Sequence, residues 1–220
     1  MQGMDTKSDN PWKDTPEISA RIVTAIGRIA SVMRSGMWEF ATAENLNPAQ
    51  AEILQLLQSR SQGVRLSWLA AQLSISAASA SDSVSALVSK GLLYKARAED
   101  DGRATALFLT EEGAAMAARI GGALGFAEDA AAALPVARQT ELLSGLFKLI
   151  AQLQKTDRFP EMRACLSCQF FEPNRHPGKS APHHCAMLNV PLSVALLRLD
   201  CPEQLPADPA TRQRNWKVFA

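Results

Sequence analysis

The sequence predicts a mainly helical protein of the α+β class, carrying one small β-hairpin and ending in an irregular cysteine-bearing module. Three observations predict it. From residue 16 to residue 153, apolar side chains recur mostly at three- and four-residue intervals, the period of amphipathic helices. That periodicity is interrupted by two short apolar runs, residues 92–97 and 105–109. They flank the charged turn Glu99-Asp100-Asp101-Gly102-Arg103, whose Asp101-Gly102 is hairpin chemistry. After Lys155 prolines crowd the chain, and all four cysteines fall in that last segment.

Taken in order, residues 1–14 mix Gly, Asp, Ser, Asn and Pro without period and are expected to form a disordered tail. Ile18, Ile22, Ile26, Ile29, Val32 and Met33, followed by Trp38 and Phe40, describe one long amphipathic helix over 16–40. Asn47 before Pro48 reads as an N-cap with proline at the first helical position. Ile53, Leu54, Leu56 and Leu57 give that helix its apolar side. Val64-Arg65-Leu66 is expected to be an edge strand, Ser67 the cap of a brief helix over 68–73, and Ser74-Ile75-Ser76 a turn. A second short helix then runs over 77–90 with Val84, Leu87 and Val88 inward, and Gly91 stops it.

Thr110, before two glutamates and an alanine-rich stretch, suits an N-cap with acids in the first turn. The helix it starts, over 111–133, carries Gly121, Gly122 and Gly125 as points where it can bend, or where a neighbouring backbone comes close. Pro135 opens a last amphipathic helix striped by Leu142, Leu143, Leu146, Phe147, Ile150 and Leu153.

A hairpin directly after a short helix pair is a wing. Residues 46–113, with Gly91-Leu92-Leu93, the Asp101-Gly102-Arg103 wing and Leu109-Thr110-Glu111-Glu112-Gly113, resemble the MarR family of winged helix-turn-helix regulators. The resemblance implies a winged helix-turn-helix domain over 15–156, with dimerisation helices at both ends of the core (16–40 and 135–156). It also implies a homodimer bound to a double-stranded DNA operator, the alternative for the two end stripes being that they pack on one another within one chain. The DNA contacts it implies are Ser76, Ser79, Ser81 and Ser83 on the second short helix, and Lys90, Lys95, Arg97, Asp101 and Arg103 on or beside the wing. Arg103 would reach the minor groove and Asp101 would hold the wing's basic groups. A small-molecule effector would sit between the lobes, beside Met37, Trp38, Phe40 and Trp68.

The helix face departs from the commonest base-reading chemistry. It offers serines and Asp82 but no arginine, and arginine or lysine to guanine is the usual specific contact. Affinity would then rest on phosphate contacts made elsewhere. With a formal net charge of +1 over 220 residues, long-range attraction to DNA must come from local clusters of basic residues.

No apolar run reaches the roughly 20 residues needed to cross a bilayer, and the first fifteen residues lack a signal-peptide core, so a soluble cytoplasmic protein is expected. A reducing cytosol favours metal or redox chemistry over disulfides. Residues 157–220 hold Cys165, Cys168, Cys185 and Cys201 as C-x2-C, sixteen residues, C, fifteen residues, C-P. Confinement to one proline-broken segment predicts a shared four-cysteine metal centre that makes an otherwise core-poor module fold.

Structural zinc usually takes two close ligand pairs, and here only Cys165 and Cys168 are close. A proline after the last ligand is typical of ferredoxin-type runs, so a [4Fe-4S] cluster is favoured over Zn2+. His183 and His184 beside Cys185 are open as substitute ligands in the zinc reading, the alternative being that they support the ligands from behind or lie on the surface. Phosphate loops, nucleophile elbows and recognisable carboxylate pairs are lacking, so no enzyme is expected. The leading expectation is a DNA-binding regulator, a repressor, whose centre responds to redox, oxygen or metal. The alternatives are an iron-sulfur electron-transfer module using the winged helix as a protein-interaction scaffold, and a ligand-responsive regulator with purely structural zinc.

Overall fold

In the computed structural model, residues 14–98, 103–156 and 162–219 are described, so most of the expected N-terminal tail and the expected turn with Asp101-Gly102 lie outside the described residues. The chain order is α1 (Ile18–Ala43), α2 (Pro48–Gln58), α3 (Leu66–Leu73), α4 (Ala77–Ser89), β1 (Leu93–Arg97), β2 (Thr105–Leu109), α5 (Glu111–Gly122), α6 (Gly125–Ala132) and α7 (Val136–Gln154). Beyond these come β3 (Phe171–Glu172), β4 (His183–Cys185), β5 (Val190–Leu192) and α8 (Pro209–Trp216). None of the described helices is long and apolar enough to cross a membrane.

Among the described residues, two apolar cores organise the fold. The first gathers Ile53, Leu54 and Leu57 from α2, Leu69 from α3, Val84 and Leu87 from α4, Leu93 and Leu107 from the hairpin, and Ala117 and Ile120 from α5. The second joins Phe147 and Ala151 of α7 to Leu166, Phe171, Leu192, Leu197, Trp216 and Phe219 of the C-terminal module. Phe147 is fully buried there, with ring centroids 5.2 Å from Phe219 and 6.4 Å from Trp216. The C-terminal segment is therefore not a core-poor appendage: it shares its core with α7 and has a three-stranded antiparallel sheet, in the order β3-β4-β5.

Part of the α7 stripe expected at a dimer interface is covered within the chain by that module. The rest of the stripe, Leu142, Leu146 and Leu153, is exposed. On α1 nearly the whole stripe is open to solvent: Ile18 is 70% exposed, Ile29 60% and Val32 57%, and Ala41 is the helix's one fully buried position. The two stripes therefore do not cover one another.

Local expectations fare unevenly. The edge strand shrinks to a single bridge, Val64 with Leu107, because α3 already begins at Leu66 with Arg65 at its N-cap; Ser67 lies inside the helix. Val88 is exposed and Ala80 takes the third inward place on α4, one turn before Val84. The alanine-rich helix breaks between α5 and α6. Added methyl groups at Gly121, Gly122 and Gly125 would meet nothing within 4 Å, so these glycines serve the break and not a close backbone approach. Trp38, expected beside an effector cavity, is 61% exposed, whereas Met37, Phe40 and Trp68 pack against the first core.

Candidate nucleic-acid interface and cysteine cluster

The helix-turn-helix is α3 and α4, joined by Ser74 in the left-handed region (φ 53°). Ser76 caps α4, its hydroxyl accepting from the Ser79 N–H at 3.1 Å. At the far end Leu92 N–H donates to Leu87 O and Gly91 N–H to Val88 O, with Gly91 at φ +71°. That is the double-bonded helix stop that glycine permits at low cost. Between these stops Ser76, Ser79, Asp82 and Ser85 stand exposed, with Ser81 and Ser83 half-buried beside them.

The wing is fixed to the end of α4. Its strands pair Leu93 with Leu109 through to Arg97 with Thr105, and the Tyr94 and Phe108 rings stack at 5.3 Å across one rung. Thr110 does more than cap α5. Its hydroxyl accepts from Gly113 N–H at 3.0 Å and donates to Gly91 O at 2.7 Å, while its own N–H donates to Leu92 O at 3.1 Å. A methyl group on Gly113 would lie 2.0 Å from Leu92 O, so only glycine lets α5 cross the end of α4 this closely. The Leu-Thr-x-x-Gly run is thus a clasp between α4, the wing and α5.

Lys95 and Arg97 are exposed on β1, and Arg103 is exposed at the start of the returning strand. Lys90 is exposed too, but its ammonium is engaged at the start of α2, on Asn45 O and on Gln50 Oε1 at 3.1 Å. That places Lys90 as a tie between α4 and α2. Asn47 and Gln50 form a reciprocal capping box there, so the tie grips an already rigid helix start.

The cysteines come from three elements of the C-terminal module. Cys165 and Cys168 bracket one helical turn, with Cys168 N–H donating to Cys165 O at 3.0 Å. Cys185 ends β4, paired with Phe171, and Cys201 lies in the loop after residue 198. Cys165 Sγ accepts the Arg198 N–H at 3.3 Å, and the Arg198 guanidinium stands 3.9 Å from Cys201 Sγ.

Burial pushes the Cys165 thiol up from its ordinary value, and the Arg198 N–H opposes this. Cys201, Cys168 and Cys185 each add to the rise, so all four thiols share one electrostatic neighbourhood. Among the described residues, no three His, Cys, Asp or Glu groups are arranged to hold a metal ion.

The neighbouring histidines are occupied on one side. His183 Nδ1 accepts from Asn174 N–H at 3.2 Å, and His184 Nδ1 faces His176 Nε2 at 3.1 Å. His184 Nε2 is buried with no hydrogen-bond partner.

Three features here escape sequence reasoning. Trp216 Nε1 donates to Ser167 Oγ at 3.2 Å, fastening α8 beneath the Cys165 turn. Arg163 binds the carbonyls of Cys201 (3.1 Å) and Pro202. Asp200 reaches the winged-helix lobe at Ser59. Only α8 has a local signal, since Asp208-Pro209 is an N-cap followed by proline at the first helical position, and Asp208 Oδ1 accepts from both Ala210 and Thr211 N–H at 3.0 Å.

Comparison with known proteins places these parts. Residues 44–104, from the end of α1 to the wing, match the family model described as MarR family. No significant match is found among curated proteins. Solved structures are similar over a longer stretch. A MarR transcriptional regulator from Methanosarcina mazei is 20% identical with a TM-score of 0.53, over 62% of this chain and 99% of that one. A MepR mutant from a multidrug-resistant S. aureus isolate is 18% identical with a TM-score of 0.52, over 60% and 96%. CouR from Rhodococcus jostii, solved with p-coumaroyl-CoA bound, is 19% identical with a TM-score of 0.50, over 61% and 95%. At such identities the likeness is one of fold: about three-fifths of this chain is folded as MarR-type winged-helix proteins are.

Proposed function

We propose that this chain is a MarR-type transcriptional regulator, a repressor, that binds double-stranded operator DNA as a homodimer. The observation that carries this reading is the clasp of Thr110 and Gly113 on Gly91 and Leu92, which fixes an exposed helix face and an exposed basic wing in one orientation. A rigid helix and wing set side by side suit a major groove and the adjoining backbone or minor groove. The serines of α4 supply small hydrogen-bonding groups, and Lys95, Arg97 and Arg103 supply the cations. The open stripe of α1 and the exposed Leu142, Leu146 and Leu153 of α7 support the dimer, because a twofold protein matches a twofold operator.

Cys165, Cys168, Cys185 and Cys201 are proposed as the ligands of one centre, a [4Fe-4S] cluster in preference to Zn2+, that modulates DNA binding. The chemistry of four sulfur donors fits either group, and the backbone N–H on Cys165 Sγ is a bond that a thiolate accepts well. When bound, the centre would supply four metal-thiolate bonds and a redox- or metal-dependent state. The chain's own part is to bring the three cysteine-bearing elements together on the Phe147 core.

Titration of the full-length protein with a labelled duplex from upstream of its own coding sequence, across a series of salt concentrations, tests the DNA reading. Tight binding that falls steeply with salt is expected, since each neutralised phosphate releases counterions. Binding no different from that of an unrelated duplex, and of the micromolar strength of non-specific contacts, would contradict it.

A further inference from the structure

We propose that Asp200 is a latch through which the cysteine cluster sets the posture of the helix-turn-helix. The inference rests on the reading that the four cysteines share one centre. Its basis is the segment 198–201, which is held on two sides at once.

On the cluster side, Arg198 gives its N–H to Cys165 Sγ (3.3 Å), its guanidinium stands 3.9 Å from Cys201 Sγ, and its carbonyl accepts the Cys165 N–H at 3.0 Å. Cys201 is bound at both backbone groups by Arg163, N–H to carbonyl at 3.0 Å and carbonyl to Nε at 3.1 Å. On the lobe side, Asp200, the residue before Cys201, accepts from Ser59 Oγ at 2.6 Å across 141 positions of sequence. Its carboxylate also lies 3.9 Å from Arg60 Nη1.

What Asp200 touches is a joint. Ser59 is the C-cap of α2. The Arg60 guanidinium bonds Leu56 O in the last turn of α2 and Ser59 Oγ at 3.1 Å, and lies 4.4 Å over the ring of Trp68 near the start of α3. One carboxylate therefore meets a cap of α2 and a cation stacked on α3. The Arg60 side chain is only 9% exposed, so the loss of a nearby anion acts on a poorly solvated charge, whereas Asp200 is 48% exposed and can leave into water. A bond of this kind is weak enough to be switched and strong enough to bias a two-state joint.

Bonds from Cys201 to a centre shared with Cys165, Cys168 and Cys185 would fix Asp200 against Ser59 and Arg60. Loss of the centre frees segment 198–201 on the cluster side and loosens α2 and α3. Coupling is reciprocal, so DNA held by the helix-turn-helix must change the affinity of the centre by the same factor.

The test uses full-length wild-type protein and Asp200→Ala, each purified without oxygen and examined before and after chelation. Metal analysis, hydrogen exchange over residues 56–73, and affinity for the upstream duplex are the readouts. In wild type, chelation is expected to raise exchange in 56–73 and to change duplex affinity by on the order of three- to tenfold. The Asp200→Ala protein is expected to keep its full metal content, to show the faster exchange already when loaded, and to bring the affinity ratio close to one.

Retention of wild-type protection and ratio by loaded Asp200→Ala would overturn the latch. So would a metal-loaded wild type whose 56–73 exchange ignores chelation. Protein that takes up no metal fails at the shared centre itself, and this removes the latch's trigger with it. A duplex that does not bind contradicts the regulator reading alone, because the exchange measurement still decides the latch.

Discussion

The winged-helix lobe and the C-terminal module reach stability by opposite routes. In the lobe, five helices and a hairpin surround an apolar core, and the junctions are locked by neighbours in sequence or nearly so: Asn47 with Gln50, Ser76 with Ser79, Gly91 with Val88, Leu92 with Leu87, Thr110 with Gly113. In the module the strands are two or three residues long, and the core is completed by borrowing Phe147 and Ala151 from α7. The lobe can hold its form by its own contacts. The module leans on a helix of the other unit and brings four thiols into one neighbourhood, which is the arrangement expected where a bound metal finishes the fold.

The largest effect that would break this contrast comes from the thiols. Cys185→Ser is expected to abolish stoichiometric metal and to speed hydrogen exchange throughout 162–219, while 46–98 keeps its protection; a structural zinc site contributes about 10 kcal/mol or more in small domains. Full metal content in all four single serine variants would show that the cysteines never formed one site.

Phe147→Ala probes the borrowed core. Truncating a fully buried phenylalanine costs roughly 3–5 kcal/mol, and the loss should appear in the module and α7 before it appears in the lobe. Equal loosening of both regions would mean that they are not separate units. Gly113→Ala sharpens the comparison from the other side. Its methyl group would lie 2.0 Å from Leu92 O, so the clasp must open. A loss on the order of 1–3 kcal/mol is expected in the lobe, as for other overpacked positions, with metal content unchanged.

The smallest effect is electrostatic. Arg103→Ala should leave folding intact, weaken duplex binding, and flatten the salt dependence by about one counterion per wing. An unchanged slope would remove Arg103 from the interface. In the same titration Asp82→Ala is expected to bind equally well or better, since a carboxylate on α4 repels phosphate.

What can be read from the sequence follows the same division. In the lobe the decisive interactions are local, so Gly91, Asn47, Thr110 and the two wing strands announce themselves by residue type and spacing. Departures there are small: Ala80 faces inward on α4 in place of Val88, and a single Val64 bridge stands where an edge strand is expected. In the module the decisive interactions are long-range.

Strands as short as Phe171–Glu172 show no alternation, and the partner that buries Phe147 lies some seventy residues away at Trp216 and Phe219. The proline of Asp208-Pro209 reads as a breaker in a proline-rich stretch, yet it begins a helix. Nothing near Asp200 in sequence points to Ser59 or Arg60. Cysteine spacing is the one signal strong enough to mark the module, because four cysteines confined to one segment stand out by residue type even where the fold leaves no trace in periodicity.

If the two units work as one device, the most direct measurement is the affinity of a single full-length preparation for the upstream duplex at fixed salt, before and after removal of its metal. Salt-sensitive binding that differs severalfold between the two states is the predicted result, with metal analysis confirming that the centre was present and then lost. Equal affinities in the two states would contradict the coupling and leave the cysteine cluster as a staple beside an independent DNA-binding lobe.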